Sequence, residues 1–356
     1  GSAEWTIVPP GPPAKPVLSG APAALTNSTS ASVGFTGDAG ITFTCAVDGG
    51  AFTACSSPKA ISGLADGVHS LVVKATNAGG SSTESAFWTV DTGAPAAPAL
   101  SGAPGGATNQ TEAKISVSAE PGASLVCSVD GGDYAACTSP VSLSGLTEAA
   151  HSISVKATDA AGNTSSAATA SWTVDTTAPS VAISSNPHGI VASSSANIEF
   201  TATQADSVTC SLDGAAYAAC TSPVSLTGLT DGVHSLTIKA VDTAGNTAST
   251  TSEKWTVDTV GPTVTFAAAP SGVRSGPAEA FGINVETGAT LECKLDSAAW
   301  ASCTSAVSLS SLAEGNHVYK VRGTDAAGNL GPEATASWYS SVPAAPGVGA
   351  TINMGT

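Results

Sequence analysis

Apolar and polar positions alternate with a period of two along most of the chain. Ile41, Phe43, Cys45 and Val47 fall on one side of an extended segment, and Thr42, Thr44 and Ala46 on the other. The same register returns as Leu125/Cys127/Val129, Val208/Cys210/Leu212 and Leu291/Cys293/Leu295, with a further inward position at Phe35, Val117, Phe200 and Ile283. Leu71/Val73/Ala75 and Ile153/Val155/Ala157 continue it. Alternation of this kind predicts strands buried on one face, and turn signals spaced by about 8–12 residues predict an antiparallel sandwich. Asp48-Gly49-Gly50 and Asp130-Gly131-Gly132 read as tight hairpins, where Gly supplies positive φ. Asp159-Ala160-Ala161-Gly162-Asn163 and Asp242-Thr243-Ala244-Gly245-Asn246 read as longer hairpin loops in which Asp bonds the backbone ahead of it.

The pattern repeats. Cysteines fall in pairs, Cys45/Cys55, Cys127/Cys137, Cys210/Cys220 and Cys293/Cys303, spaced by 10 within a pair, with successive pairs 82, 83 and 83 residues apart. Trp5, Trp88, Trp172, Trp255 and Trp338 keep the same period, as do His69, His151, His234 and His317. Each of these histidines follows a leucine by five residues, at Leu64, Leu146, Leu229 and Leu312. A period of this length identifies tandem domains. The predicted units are 11–92, 93–176, 177–259 and 260–340, each with about seven strands. An odd strand count puts the two ends of a unit at opposite poles, so the units should string out. Gly1-Ser2 reads as a cloning scar, residues 1–10 as the tail of a preceding repeat (Trp5-Thr6-Ile7-Val8), and 341–356 as a linker or the start of another module.

Composition narrows the class. Of 356 residues, 11% are charged against about 25% in an average soluble domain, so small polar residues must solvate the surface. A net charge of −16 offers no basic footprint for nucleic acid. No apolar run approaches the roughly 18 residues of a membrane-spanning helix, so no membrane insertion is expected of this segment. Neither a Gly-x-Ser-x-Gly elbow, a His-Glu-x-x-His pair nor a phosphate loop is present, and no enzyme activity is expected.

Units reading Cys-x-Val/Leu-Asp-Gly, Cys-Thr-Ser-Pro, Gly-Leu-x-Asp-Gly-x-His, Lys-Ala-x-Asp-x-Ala-Gly-Asn and Trp-Thr-Val-Asp-Thr-x-Ala-Pro resemble bacterial immunoglobulin-like (Big-type) repeats of large cell-surface and adhesin-type proteins. Their order is also similar to fibronectin type III, with Leu-x-x-Gly-x-His where that fold has its tyrosine corner. Two departures stand out: Asn77-Ala78-Gly79-Gly80 lacks the loop Asp, and Ser305-Ala306 replaces Ser-Pro. The resemblance implies an all-β chain of four tandem Ig-like antiparallel sandwiches forming an elongated rod.

Each candidate chemistry has a plainer rival. Even numbers of cysteines at fixed spacing favour four disulfides and an oxidising compartment. Zinc held by two cysteines and the nearby histidine is the alternative, but close Cys-x₂₋₄-Cys knuckles are absent. Each repeated histidine follows an acid by three residues (Asp66, Glu148, Asp231, Glu314), which suggests a general-base dyad. Fourfold repetition favours a structural corner instead, a ring nitrogen bonding backbone just upstream. His188 lies off the period and reads as a loop residue. No cofactor is expected. The alternative is calcium at loops and linkers, offered oxygens by Asp91, Asp175, Asp258, Asp159, Asp242, Asp325, Asn163, Asn246 and Asn329; no dense Asp string supports it. Phe52, Tyr134, Tyr217 and Trp300 form an aromatic column, either packing across the hairpin and its disulfide or offering sugar-stacking platforms.

Short Pro-bearing linkers such as Asp175-Thr176-Thr177-Ala178-Pro179 restrict bending. The expectation is a non-catalytic extracellular stalk of a bacterial cell-surface or secreted adhesin-type protein, projecting a functional domain, with neighbouring repeats as its partners. The alternatives are a module binding a host or cell-surface glycan or protein, and a self-associating subunit of an extracellular filament or phage tail.

Overall fold

The computed structural model describes residues 10–341 and the backbone of Thr351–Asn353; the Trp5–Val8 tail lies outside the described residues. The described residues contain strands and no helix, so none is long and apolar enough to cross a membrane. The chain divides into two compact units, Gly1–Thr176 and Thr177–Thr356, each holding two sandwich repeats.

The first repeat shows the plan. Its strands are β1 (Val17–Ser19), β2 (Leu25–Thr26), β3 (Ser30–Thr36), β4 (Thr42–Val47), β5 (Thr53–Ala54), β6 (Lys59–Ser62), β7 (Gly67–Asn77) and β8 (Gly80–Val90). One sheet runs β1-β3-β6 and the other β2-β8-β7-β4-β5. The strand count corrects the sequence expectation of about seven. The leading segment is shared between the sheets: β1 pairs antiparallel with β3, and β2 pairs parallel with β8 through Leu25↔Thr89 and Thr26↔Val90. Every later repeat keeps one such parallel pair, Gly106↔Trp172, Gly189↔Trp255 and Gly272↔Trp338 among its registers, so the sandwich is not wholly antiparallel. A switch of this sort lets one segment close an edge of both sheets.

Alternation fixes which side is buried. In β7, Leu71, Val73 and Ala75 are wholly buried; Leu71 and Val73 share a core with Val33 and Phe35 of the facing sheet and with Cys45 and Trp88 of their own. Ile115, Ile153, Val155 and Trp172 fill the equivalent core of the second repeat, and Ile198, Leu236, Ile238 and Trp255 that of the third. Burying such a side chain contributes roughly 1.5–3 kcal/mol, so a handful of residues per repeat carries most of the stabilisation.

The disulfides staple the short hairpin beside this core. Cys45–Cys55, Cys127–Cys137, Cys210–Cys220 and Cys293–Cys303 are bonded, each with Cα atoms 5.8 Å apart, and no free cysteine is left among the described residues. Between the cysteines, both Asp48 (φ 50°) and Gly49 (φ 70°) lie in the left-handed region, and the Gly50 amide donates to the Val47 carbonyl at 2.9 Å. Two successive positive φ values give the turn whose twist matches the flanking strands. Asp130, Asp213 and Asp296 repeat the conformation at 51°, 51° and 52°.

Candidate functional site

Two constellations recur in every repeat or nearly so: a histidine corner at the hairpin tip and an amide clamp on the segment that joins one repeat to the next.

The corner is built by cross-strand register. His69 on β7 stands opposite Trp88 on β8, and the turn at Asp48 brings a carboxylate over it. His69 Nδ1 lies 2.8 Å from Asp48 Oδ2 and Nε2 lies 2.7 Å from the Ala65 carbonyl. The other carboxylate oxygen, Oδ1, accepts the Ser70 amide at 2.7 Å. His151 repeats this with Asp130 and Thr147 (2.9 and 2.8 Å), His234 with Asp213 and Thr230 (2.7 and 2.7 Å), and His317 with Asp296 and Ala313 (2.9 and 2.9 Å). Both ring nitrogens therefore face acceptors, a geometry satisfied in full only by the doubly protonated imidazolium.

Titration follows that geometry. The Ala65 carbonyl and then the Asp48 carboxylate hold His69 above its ordinary value, Asp130 and Thr147 do so for His151, and Thr230 and Asp213 for His234. At His317 burial is the largest influence and pulls downward, but Ala313 and Asp296 together outweigh it. Reciprocally, Asp48 and Asp130 are held below the usual carboxylate range, first by their histidines.

The acids three residues before His69, His151 and His234 have another task. Asp66 Oδ1 accepts the Thr92 amide and hydroxyl at 2.9 and 2.8 Å, and Asp231 Oδ1 accepts those of Thr259 at the same distances. Glu148 accepts the Thr176 hydroxyl at 2.9 Å. Sequence reasoning located the upstream carbonyl contact of the histidines but missed their carboxylate partners. The signal was present: Asp48, Asp130, Asp213 and Asp296 keep the repeat period, and a turn alone does not require Asp rather than Asn or Gly.

Thr92 and Thr259 begin joining segments within the two units, and an asparagine of the following repeat holds each of these segments from the other side. Asn163 Nδ2 donates to the Asp91 carbonyl at 2.8 Å and to Asp159 Oδ2 at 2.9 Å, so both amide hydrogens are used. Asp159 Oδ1 accepts the Gly162 and Asn163 amides, each at 2.8 Å. In the second unit Asn329 Nδ2 donates to the Asp258 carbonyl at 2.6 Å and to Asp325 Oδ2 at 2.9 Å, and Asn246 Nδ2 reaches the Thr177 carbonyl at 3.3 Å. These bonds lower the Asp159 titration, with the Asn163 amide as the leading cause. At Asp242 and Asp325 burial is the largest single influence and pulls upward, but the hydrogen bonds from the asparagine and the loop amides together outweigh it and lower both. In the first repeat, where the loop Asp is absent, Asn77 Nδ2 donates to the Gly11 carbonyl at 3.1 Å. A Cβ at Gly79 would lie 1.6 Å from the Pro10 carbonyl oxygen, so only glycine admits the incoming chain there.

The remaining candidates are placed differently. Among the described residues, no group of three or more His, Cys, Asp or Glu side chains gathers to hold a metal ion. Asp91 and Asp258 instead accept backbone amides two residues on, from Gly93 at 3.0 Å and Val260 at 3.3 Å. His188 pairs with Glu253 at 3.1 Å on the exposed surface. The aromatic column faces outward: Phe52, Tyr134 and Tyr217 are 45%, 41% and 50% exposed. Lysines of the same repeat lie over two of these rings, Lys74 at 5.5 Å from the Phe52 centroid and Lys156 at 4.6 Å from that of Tyr134. Trp300 has both Lys294, at 4.8 Å, and Arg322, at 4.3 Å.

No family model matches the chain, and no curated protein matches it. Solved structures do. Fibronectin(III)-like modules of CbhA from Clostridium thermocellum are 19% identical, over 46% of this chain and 94% of theirs, with a TM-score of 0.27. The I-band fragment I67-I69 of titin is 12% identical, over 71% of this chain and 100% of its own, with a TM-score of 0.36. A structure described as concerning host cell surface retention of a 1.5-MDa bacterial ice-binding adhesin is 18% identical, over 66% of this chain and 91% of its own, with a TM-score of 0.30. At these scores the fold assignment stands on the chain's own sheets and registers.

Proposed function

We propose that the chain is a non-catalytic extracellular spacer of a bacterial surface or secreted protein, a semi-rigid series of Ig-like repeats that holds another module at a distance. The observation that carries this reading is the double grip on the joining segments. Asp66 holds Thr92 from one repeat while Asn163 holds the Asp91 carbonyl from the next. Asp231 and Asn329 do the same for Thr259 and Asp258. A segment bonded on both sides loses most of its torsional freedom, which is what a spacer transmitting position requires. Four disulfides support an oxidising, extracellular setting. Lysines of their own repeat lie over the rings of Phe52 and Tyr134, which supports reading the aromatic column as self-contained rather than as a row of sugar platforms.

Small-angle scattering tests the spacer directly. A compact particle of this length would have a radius of gyration of about 20 Å, whereas four repeats end to end should exceed about 35 Å. The Asn163→Ala/Asn329→Ala variant should keep its melting temperature but broaden the scattering toward a flexible chain. A wild-type radius near the compact value would sink the proposal.

A further inference from the structure

We infer that the outer edge of the fourth repeat, strand Ala306–Ser310, is a strand-acceptor site whose partner is the Thr351–Asn353 segment of a second copy of this chain. In the structure that edge already carries such a strand from its own chain: Ser308 pairs antiparallel with Asn353, Leu309 with Ile352 and Ser310 with Thr351. The corresponding strands of the other repeats, β6, Val141–Leu143 and Val224–Leu226, each end their sheet, with no further strand beside them among the described residues.

One backbone difference sets this edge apart, just before the paired residues Ser308–Ser310. The Ile283 amide donates to the Ser305 carbonyl at 2.8 Å, and Phe281 faces Val307 in the same register. Amide and carbonyl of one residue point to the same side of an antiparallel ladder. Residues 305, 307 and 309 therefore bond inward, and Ala306, Ser308 and Ser310 present their N–H and C=O groups outward. The equivalent registers are Val33↔Lys59, Ile115↔Val141 and Ile198↔Val224. They put Pro58, Pro140 and Pro223 where the fourth repeat has Ala306. Proline has no amide hydrogen, so it removes the first outward donor and guards the edge against a further strand. With alanine at that position the strand runs to five residues, against four for β6 and three for Val141–Leu143 and Val224–Leu226.

Pairing at this edge uses backbone groups, and a second copy presents the same segment with the same donors. Strand addition to an open edge draws its affinity from such main-chain bonds. Within one chain the tethered segment competes at an effective concentration of about millimolar, so exchange between copies is favoured where many chains are held close together. The inference does not depend on the spacer reading, because the edge is present whatever shape the chain takes.

Complementary full-length variants separate the two kinds of pairing. Ser308→Pro removes an outward donor at an exposed position whose amide faces away from Ala280, leaving an intact donor segment on a chain that cannot accept. Asn353→Pro leaves an intact edge on a chain that cannot donate. Amide hydrogen exchange at Ser308 and Ser310 should be slow in the parent chain and at least about tenfold faster in Asn353→Pro. Adding the Ser308→Pro chain should restore that protection in a concentration-dependent way, and the mixture should sediment as a one-to-one pair while each variant alone sediments as a monomer. The Ser308→Pro/Asn353→Pro double variant should restore nothing. Fast exchange at Ser310 of the Asn353→Pro chain at every concentration of the Ser308→Pro chain would overturn the inference.

Discussion

The second and fourth repeats share one frame and fill it differently. Where the second repeat buries Ile115 and Ile153, the fourth buries Phe281 and Tyr319, whose rings lie 4.4 Å apart, with Phe266 and Trp338 beside them. Where the second has Ala113, the fourth buries Glu279, held by Arg274 at 3.2 Å. The corner histidine, the hairpin disulfide and the loop Asp–Asn pair keep the same geometry in both. The frame is thus set by local polar devices at fixed spacing, and the core is free to exchange aliphatic for aromatic bulk as long as volume is found within the sandwich. The sheet edge differs too, where Pro140 gives way to Ala306.

That comparison can be broken most forcefully at the disulfides. Each closes a loop of the same length, so Cys127→Ala/Cys137→Ala and Cys293→Ala/Cys303→Ala should each cost their repeat about 2.5–3 kcal/mol by loop-closure entropy. Urea unfolding of the two variants reads this. A much smaller loss in the fourth repeat would mean that its aromatic core, not the frame, dominates its stability.

Next in size are the corners. Each histidine titrates higher in the folded chain than its ordinary value of about 6.5. Its stabilisation is fully present below that value and is lost as pH rises through the raised one. Asp48 and Asp130 act in the opposite sense, stabilising above the ordinary carboxylate value and losing that effect as pH falls through their lowered ones. Thermal stability should therefore peak in mildly acidic solution and decline toward alkaline pH. Asp130→Asn should reduce the second repeat's share of the alkaline decline, leaving the part due to the Thr147 carbonyl. Proton NMR of the ring hydrogens checks the assignment: a corner histidine titrating at or below the ordinary value would remove it from the shared frame.

The smallest expected effect sharpens the core side of the comparison. Tyr319 is wholly buried, its hydroxyl has no hydrogen-bond partner among the described residues, and burial raises its titration far above the usual phenol range. An unpaired buried hydroxyl costs roughly 1–3 kcal/mol, so Tyr319→Phe should leave the fourth repeat as stable or up to about 1 kcal/mol more stable in urea melts. A clear loss of stability would show that the hydroxyl finds an acceptor in solution.

Much of this was legible in the residues, for identifiable reasons. The alternation of Leu71/Val73/Ala75 and its relatives names the buried face because strand side chains have a period of two. Recurrence of Cys, His and Trp named four repeats because each sandwich must supply its own staple, corner and core. The clamp residues Asp159 and Asn163 were legible as a loop but not as a grip on Asp91, a residue 72 positions away. The surroundings of the aromatic column were not legible either: Phe52 and Tyr134 lie beneath lysines from the next strand over.

The sequence by itself determined an all-β chain of four disulfide-bearing sandwiches, because period, turn chemistry and cysteine spacing are local properties. Tertiary structure alone decided which carboxylate meets each histidine, which carbonyl each asparagine holds, and that a leading segment joins the last strand in parallel. Those contacts join residues from about 20 to more than 70 positions apart. Their partners are chosen by strand register and by the approach of one repeat to the next, quantities that no short window of sequence contains.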